Sequence, residues 1–437
     1  MTSPLRAQWS GQDSLIIARA EFSPPPDSIF LVDKVMIRGN EKTKDYVVFR
    51  EMEIREGSYI TREALDHDLS RIYNLGLFNR VQIGYIPHDP SAATLLILVE
   101  ERWYFFPFPV VGIKDRDWKK LYYGAGLIHS NFRGRNEKLY AVFLFGYDPA
   151  VILSYRNPMI DEKQNHFLDA GLSWRVVRNK STSNIVNGEN FDERHFGSSL
   201  GFGRRFGVAT TLWASAGIEY VKVSEYHPGR SISSDGVDVY PTISLGYSYE
   251  TRDVEEYAMS GTFIRATLVK SGIPGKELDF VRYAGDARRY IPLLPRFTLA
   301  TRLFGDFVAA GATPSYTRVY LGYDQRVRGH FSEIYEGENQ LGASAELRIM
   351  LLTPRFVKMD FIPMPEFALW KFGVALAFFG EAGTVWFRGQ AVSWDSFIRG
   401  YGAGLHFLLP YGFVLRTEFG FRNLQQSEFI LDFTTAF

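Results

Sequence analysis

The sequence predicts a mostly β protein in which a 16-stranded antiparallel transmembrane β-barrel follows one small α/β domain of the order β-α-α-β-β. Three observations lead to this fold class. The composition is rich in aromatic residues, apolar and polar residues alternate through most of the chain, and the connections are long on one side and short on the other. Barrel strands produce such patterns because one face contacts lipid and the other faces a polar lumen.

Aromatic residues make up 16% of the 437 residues, and Gly occurs 39 times. Mean hydropathy is only −0.12, and no uninterrupted apolar run reaches the roughly 18 residues of a spanning helix. Basic and acidic residues both total 49, so the chain lacks the excess positive charge of a nucleic-acid-binding protein. It has no cysteine, which excludes disulfides and thiolate metal sites. A large soluble all-β protein is the alternative, but it would seldom need so many aromatics at strand ends.

Residues 1–29 are expected to form a flexible lead, because the segment Ser23–Asp27, "SPPPD", cannot be helical. No apolar core of a signal peptide is visible in residues 1–20. The α/β domain is expected over 30–101, and the barrel over 102–437.

The α/β domain begins with the predicted strand "FLVDKVMIR", and "TKDYVVFREMEI" is predicted as its first helix. Thr61 is the expected N-cap of a second helix that ends at Gly76. "RVQIGYI" and "TLLILVEE" then predict two strands. The segment "LSRIYNLGLFNRVQI", with the aromatic anchor Phe78, resembles the signature of a polypeptide-transport-associated (POTRA) domain. That resemblance implies a periplasmic domain that handles other polypeptides.

Residues from 103 onward alternate with a period of two, as in strands. At the end of the chain, one face carries Phe429, Leu431, Phe433 and Phe437, and the other face carries Glu428, Ile430 and Asp432. This period alone does not distinguish a soluble sandwich from a membrane barrel. The predicted strands lie near 103–113, 122–132, 137–146, 150–158, 167–178, 194–206, 210–223, 239–251, 261–271, 278–291, 296–309, 338–353, 372–387, 398–409, 411–423 and 428–437.

The connections favour the membrane barrel. Many of the long ones follow odd-numbered strands, at 179–193, 224–238, 310–337 and 388–397, whereas "FGVA", "PLLP" and "PYG" are tight turns after even-numbered strands. The connection 354–371 breaks the pattern and is expected to be a periplasmic insertion at the membrane surface. The terminal Phe437 resembles the C-terminal residue of bacterial outer-membrane barrels.

The loop after the eleventh strand contains "LGYDQRVRGHF", in which two arginines stand beside a glycine without a catalytic partner. Val327, Arg328 and Gly329 resemble the V-R-G-F motif of the BamA/TamA superfamily of outer-membrane assembly factors, the bacterial surface antigen family. The resemblance implies that the loop folds into the lumen and that its arginine docks on carboxylates of strands twelve and thirteen. Those carboxylates would be Glu346 in "NQLGASAELRI" and Glu381 in "FFGEAGTVW".

The residues themselves agree with this role. Phe379, Glu381 and Gly383 are two apart and share a face, which Glu381 identifies as lumenal. A guanidinium is always charged and can fork between two carboxylates. Two departures from the family pattern exist: His330 stands where Phe is usual, with Phe331 one place later, and Glu381 stands where Asp is usual.

The first strand carries Pro107 and Pro109. Proline lacks an N–H, and residues two apart point towards the same neighbouring strand. Both prolines are therefore expected to face the last strand, around Phe433 and Phe437, and to leave a weak lateral seam. The alternative is that residues 103–109 are linker.

Two glycine-rich segments and the eight histidines are not assigned chemistry. "GSSLG" lies within an alternating strand, "GYGAG" lacks the helix of a phosphate-binding loop, and the histidines show no metal-ligand spacing. The sequence therefore predicts no catalytic residue, no metal and no cofactor.

By resemblance, the protein is expected to assist the insertion or translocation of other proteins at the bacterial outer membrane without being an enzyme. Its partners would be outer-membrane lipids, unfolded outer-membrane or secreted client proteins, and accessory periplasmic or lipoprotein subunits, with no nucleic acid. Client strands would add to the POTRA sheet edge and to the barrel seam. Two alternatives stay open: a dedicated secretion pore of the two-partner type, and an organellar outer-membrane insertase.

Overall fold

The computed structural model describes residues 22, 30–89, 91–113, 118–161, 165–178, 192–323, 325–330, 333–359, 361–362 and 368–433. They belong to two compact units, one drawn from 1–104, 130–136 and 358–369, and the other from 105–129, 137–357 and 370–437. The predicted lead over 1–29 lies outside the described residues apart from Phe22. Within the described ranges, no helix combines the length and the apolar character needed to cross a membrane.

The first unit contains four strands and two helices. They are β1 Phe30–Arg38, α1 Asp45–Phe49, β2 Tyr59–Ile60, α2 Arg62–Asn74, β3 Phe78–Asp89 and β4 Ala92–Glu101. The Thr61 side chain accepts a hydrogen bond from the N–H of Ala64, which is the predicted N-cap. Leu65 and Ile72 of α2 are buried in the apolar core against the sheet, so this helix follows its hydrophobic spacing.

The first helix is shorter than predicted. "TKDYVVFREMEI" forms only the five residues of α1, because the N–H groups of Glu53 and Ile54 donate to the Asp68 carboxylate, at 2.8 and 3.0 Å, and so are not available to a helix. Burial raises the pKa of Asp68, while these two N–H groups act in the opposite direction. The Asp68 side chain on α2 therefore accepts the hydrogen bonds that backbone carbonyl groups would accept in a longer helix.

The small sheet has the order β2-β1-β4-β3, with β1 and β4 parallel. Its edges are β2, which has two residues, and β3, which contains "RVQIGYI". The segment "TLLILVEE" lies in β4 between β1 and β3, so it is an interior strand of the sheet. The edges of this sheet are therefore β3 on one side and, on the other, β2 together with the part of β1 that continues past it.

The second unit is built on one antiparallel sheet of 16 strands. They are β5 Phe105–Ile113, β6 Leu121–Phe132, β7 Glu137–Gly146, β8 Ala150–Asn157, β9 His166–Arg178, β10 Asp192–Phe206, β11 Thr210–Val223, β12 Val237–Glu250, β13 Gly261–Gly272, β14 Asp279–Leu294, β15 Phe297–Ala310, β18 Asn339–Lys358, β19 Leu369–Trp386, β20 Ile398–Leu408, β21 Val414–Asn423 and β22 Gln426–Asp432. Two short strands, β16 Val319–Leu321 and β17 Tyr335–Gly337, form a hairpin in the connection between β15 and β18.

This sheet confirms the predicted fold class. Each predicted strand is present, and most ends agree within a few residues. The clearest difference is at the connection 354–371, which is shorter than expected because β18 continues to Lys358 and β19 begins at Leu369. The alternation of apolar and polar residues weakens near Pro354, so the predicted end of the strand lies too early in the chain.

The two faces of the large sheet follow the alternation. Leu245 of β12 and Phe429 of β22 are exposed outward, as expected for a lipid-facing surface. The residues between such outward positions face a lumen that is partly filled by two inward-folded segments, a long loop after β15 and a short turn after β12. The loop positions the candidate site.

Candidate functional site

The loop between β15 and β18 turns back into the lumen. Val327, Arg328 and His330 are all buried, and the Arg328 side chain is only 8% exposed. Gly329 has φ +97°, and a Cβ atom there would lie 2.9 Å from the backbone of Phe421. The glycine is therefore required both for the turn and for the close approach of the loop to β21.

The Arg328 guanidinium contacts carboxylates from three strands. Its Nη1 lies 2.9 Å from Oε2 of Glu346 on β18 and 2.7 Å from Oε1 of Glu418 on β21, and its Nε donates to Oε1 of Glu381 on β19 at 2.8 Å. The backbone N–H of Arg328 donates to the other oxygen of Glu381, at 2.8 Å. The Phe379 ring lies under the guanidinium, 3.5 Å from its Cζ, a cation–π contact.

The structure thus brings together the predicted residues Arg328, Glu346, Phe379 and Glu381. Gly383 lies beside Val327, and a Cβ atom there would be 3.1 Å from a methyl of that valine. These contacts bury a charged side chain, which is favourable only where its donors are paired. We call Arg328, Glu346, Glu381 and Glu418 the arginine cluster.

Glu418 was not among the predicted site residues. Its side chain is fully buried, and it faces the lumen together with Arg416, from which it lies 3.7 Å. In "FVLRTEFGFR", Arg416 and Glu418 alternate with apolar residues, a pattern that predicts a polar face for Glu418. The sequence therefore contained the signal, but nothing in it showed which part of the strand the loop would reach.

The charges of the arginine cluster are balanced by further cations. Nε of Arg348 lies 2.8 Å from Oε1 of Glu346, and Arg416 stands between Glu418 and Asp432. Glu346, His406 and Glu418 offer ligand atoms within 4.8 Å of one another, the spacing of a metal site. However, the guanidinium groups of Arg328 and Arg348 already contact those carboxylates, and their charges would repel a metal ion. Among the described residues this group is therefore an ion-pair network.

The glycine-rich segment "GYGAG" has a structural use that the sequence did not reveal. Gly400 faces the lumen on β20, directly under the loop, and a Cβ atom there would lie 1.8 Å from the carbonyl oxygen of Arg328. A Cβ atom at Gly420 of β21 would lie 2.7 Å from the N–H nitrogen of Gly329. The loop can reach the carboxylates only because these positions have no side chain.

The histidine that replaces the usual phenylalanine makes polar contacts. Nε2 of His330 lies 3.0 Å from the carbonyl oxygen of Arg399, and its Nδ1 lies 3.1 Å from Oε2 of Glu333. Glu333 also contacts Tyr335 and Arg422. The Tyr335 hydroxyl, followed by His330 and Arg422, lowers the pKa of Glu333 to about 2. The loop tip is thus held by charge and hydrogen bonds, and Phe331 lies outside the described residues.

The seam residues lie at the ends of the large sheet. Pro107 pairs with Leu127 and Pro109 with Ala125, within a β5–β6 ladder that runs without interruption from Phe105 to Ile113. β5 and β22 stand at opposite ends of the strand order, and no ladder joins them within 105–113 and 426–433. Phe433 is 60% exposed, and Phe437 lies outside the described residues.

Comparison with known proteins gives the family. Residues 131–433 match the Omp85 superfamily domain, which is more than half of the chain. The chain belongs to the Omp85 superfamily. Residues 30–102 match the POTRA family, described as a surface antigen variable number repeat. Omp85 membership and the barrel fold together imply an outer-membrane location.

Individual relatives are distant. The outer membrane protein assembly factor BamA of Nitratidesulfovibrio vulgaris is 24% identical over 425 residues, which cover 89% of this chain and 48% of that protein. The chain thus spans about half the length of this curated relative. BamA from Haemophilus ducreyi lacking POTRA domains 1–3 has a TM-score of 0.52 at 16% identity, over 92% of this chain and 83% of that one. CdiB from Escherichia coli has a TM-score of 0.56 at 12% identity, over 93% and 75%.

Proposed function

We propose that this Omp85 protein inserts or translocates other proteins at the outer membrane by offering unpaired strand edges as templates, without making or breaking a covalent bond. Its POTRA domain would stand in the periplasm and its clients would be unfolded outer-membrane or secreted proteins. The observation that carries the proposal is the backbone pairing of β5. One edge of β5 pairs along its whole length with β6, whereas its other edge has no ladder to the described part of β22. A strand edge without a ladder is a template for another strand.

The two prolines support a weak seam. Because the β5–β6 ladder is continuous through Pro107 and Pro109, the missing N–H groups are expected to point away from β6 and towards β22. Pro241 of β12 agrees with this rule, since it pairs with Ile218 of β11, whereas the β12–β13 ladder begins only at Thr242. Each absent hydrogen bond removes about 0.5–1.5 kcal/mol of pairing free energy.

The POTRA domain would supply the first contact through β3. This edge strand contains "RVQIGYI" and ends beyond Pro87. Backbone hydrogen bonds tolerate many client sequences, because only alternate side chains must fit. The arginine cluster would hold the inward loop in place while the seam opens, since its three carboxylates lie on β18, β19 and β21 rather than on β5 or β22.

In-cell photo-crosslinking tests the proposal. A photoreactive residue would replace Gln82 of β3 or Phe429 of β22, and a pulse-labelled outer-membrane barrel protein would serve as the client. We expect both positions to capture the client transiently, whereas Leu200, an outward residue of β10, captures none. Equal capture at Leu200, or no capture at either edge, would contradict templating.

A dedicated translocation pore is the second candidate, and one feature of the lumen favours it. Paired lumenal residues on β8 to β11 are small: Ser154 pairs with Gly171, Gly171 with Ser199, and Ser199 with Gly217. These four neighbouring positions have small side chains or none, and they would leave room beside them for an extended chain. Ser199→Trp would reduce passage of a secreted client if the pore is used, and would leave barrel insertion unchanged if the seam is used.

A further inference from the structure

The turn between β12 and β13 folds into the lumen from the end opposite to the Arg328 loop. Residues 252–260, which we call the strap, are held in a compact shape by Asp253. Its carboxylate accepts hydrogen bonds from the N–H groups of Met259 at 3.0 Å and Ser260 at 3.2 Å. The strap is thus a preformed element and not an extended connection.

The tip of the strap is buried against strands that do not neighbour β12 or β13 in the sheet. Tyr257 is 5% exposed and Ala258 is 2% exposed. The Tyr257 ring packs with Met350, Leu408 and Val414, on β18, β20 and β21. The carbonyl oxygen of Ala258 accepts a hydrogen bond from Nη1 of Arg348 at 2.9 Å, so the strap crosses the lumen.

Two hydrogen-bonded routes connect the strap to Arg328. In the first, Arg348 contacts Ala258 through Nη1 and Glu346 through Nε, and the other oxygen of Glu346 contacts Arg328. In the second, the Tyr257 hydroxyl lies 3.0 Å from Nδ1 of His406. Nε2 of His406 in turn lies 2.9 Å from Oε1 of Glu418, the oxygen that Arg328 also contacts.

In the second route, the contact with Glu418 has a defined sense of donation. A carboxylate can only accept, so Nε2 of His406 carries the proton and donates to Glu418. In the neutral imidazole, Nδ1 is then the acceptor, and the Tyr257 hydroxyl donates to it. The strap therefore completes the hydrogen bonding of a fully buried histidine. Withdrawal of Tyr257 would leave that nitrogen without this partner, a loss that is unfavourable in a buried site.

We propose that the strap closes this end of the lumen and that its closed position is coupled to the arginine cluster. Release of the strap would weaken the ion pairs of the cluster, and loss of those ion pairs would favour opening of the strap. Coupling between two sites is reciprocal by thermodynamic necessity. The physical basis is a shared set of buried charges, because Glu346 and Glu418 each contact Arg328 on one side and a partner of the strap on the other. The inference does not depend on which client the protein handles, and purified protein is sufficient to test it.

The test uses the absence of cysteine from the chain. Ala258→Cys places one buried thiol on the strap, and its rate of labelling by a soluble maleimide measures strap opening. Tryptic cleavage after the exposed Arg326 measures loop opening. Glu381→Gln weakens the cluster at a residue that neither route uses, and we expect it to raise maleimide labelling at position 258 about tenfold, within the usual range of coupling. In the reciprocal experiment, Tyr257→Phe should raise tryptic cleavage of the loop.

The matched control is Asp169→Asn, which removes a carboxylate of β9 that lies 3.4 Å from Arg156 and outside both routes. It should change neither rate. If Glu381→Gln does not fold, Phe379→Leu replaces it, because it removes the cation–π contact and keeps every charge. Faster loop cleavage with unchanged labelling of the strap would overturn the coupling.

A disulfide gives an independent measurement. The Cβ atom of Glu256 lies 3.7 Å from the position of a Cβ atom on Gly412, which is within the range of a disulfide. In Glu256→Cys, Gly412→Cys protein that also carries Glu381→Gln, oxidation should slow loop cleavage and reduction should restore it. The single cysteine variants should show no redox response. Equal cleavage in the oxidised and reduced double variant would show that the strap does not act on the loop.

Discussion

Arg328 and Glu418 are 90 residues apart in the chain, and Nη1 of the arginine lies 2.7 Å from Oε1 of the glutamate. The same guanidinium contacts Glu346 and Glu381, so one loop residue joins β18, β19 and β21. Carboxylates from two strands would be enough to hold the loop against the inner face of the sheet. Because the third carboxylate comes from β21, next to the last strand of the sheet, the contact also fixes the loop close to the seam.

Arg328→Ala should loosen the loop and destabilise the large sheet. Removal of one partner of a buried ion pair typically costs about 3–5 kcal/mol, because the remaining charges are left uncompensated. Arg328→Lys keeps the charge but cannot reach three carboxylates at once, and we expect an intermediate loss. Heat-modifiable gel mobility and tryptic cleavage after Arg326 are the measurements. If Arg328→Ala behaves like the unmodified protein in both assays, the loop is not anchored by this residue.

Glu418→Gln should produce a defect as large as Glu346→Gln, although only Glu346 was expected from the sequence. Both carboxylates are fully buried and both lie within 3 Å of the same guanidinium nitrogen. In a double-mutant cycle with Arg328→Ala, each glutamate should show a coupling free energy within the usual range of about 0.5–3 kcal/mol. A coupling of zero for Glu418 would mean that its contact with Arg328 contributes nothing to stability.

The fold could be predicted from the sequence because lipid and lumen impose the same period-two pattern on each strand. The arginine cluster could be predicted in part, since the motif resemblance pointed to Arg328, Glu346 and Glu381. Glu418 had the same pattern but no motif beside it. Alternation tells which face a residue occupies, not how deep in the lumen it lies or what reaches it from across the lumen.

The strap could not be predicted for a related reason. "TRDVEEYAMS" reads as an ordinary polar turn with an apolar end, and a sequence period does not show that a turn folds inward. Arg348 and His406 likewise look like polar positions on the lumenal face of β18 and β20. Their roles depend on long-range contacts with Ala258 and Tyr257, which only the closed sheet brings into reach.

Gly400→Ala should displace the loop although it adds a single methyl group. That methyl would lie 1.8 Å from the carbonyl oxygen of Arg328, and the backbone would have to move. Overpacking of this kind typically costs about 1–3 kcal/mol. Gly380→Ala in β19 is the matched control, because a Cβ atom there meets nothing within 4 Å. We expect faster tryptic cleavage of the loop in Gly400→Ala only, and equal cleavage in the two variants would contradict the close approach.

The loop tip should weaken in acid through Glu333. Its pKa is lowered to about 2, chiefly by the Tyr335 hydroxyl and further by His330 and Arg422. A carboxyl with a depressed pKa stabilises the folded state when ionised, so its contribution is fully present above the unfolded pKa, near 4.5, and is lost as the pH falls through about 2. Loop cleavage by an acid-tolerant protease should therefore differ between native protein and Glu333→Gln at pH 5. The difference should disappear near pH 2, and a difference that stays constant over this range would exclude the assignment.

The seam should become stronger when its missing donors are restored. Pro107→Val and Pro109→Val each add an N–H that is expected to point towards β22, and each new hydrogen bond would contribute about 0.5–1.5 kcal/mol of pairing. Since a stronger seam opens less often, we expect a higher thermal midpoint together with slower client insertion. Pro241→Val is the control, because it adds an N–H to a strand that is not at the seam.

Cysteine pairs measure the seam directly, since the chain has no cysteine of its own. One cysteine placed within 105–112 and another within 428–433 should form a disulfide slowly in native protein and faster in the Pro107→Val, Pro109→Val double variant. Oxidation should stop client insertion, and reduction should restore it. Rapid disulfide formation along the whole native seam, with insertion unchanged under oxidising conditions, would rule out lateral opening and would leave the lumen as the only route for a client.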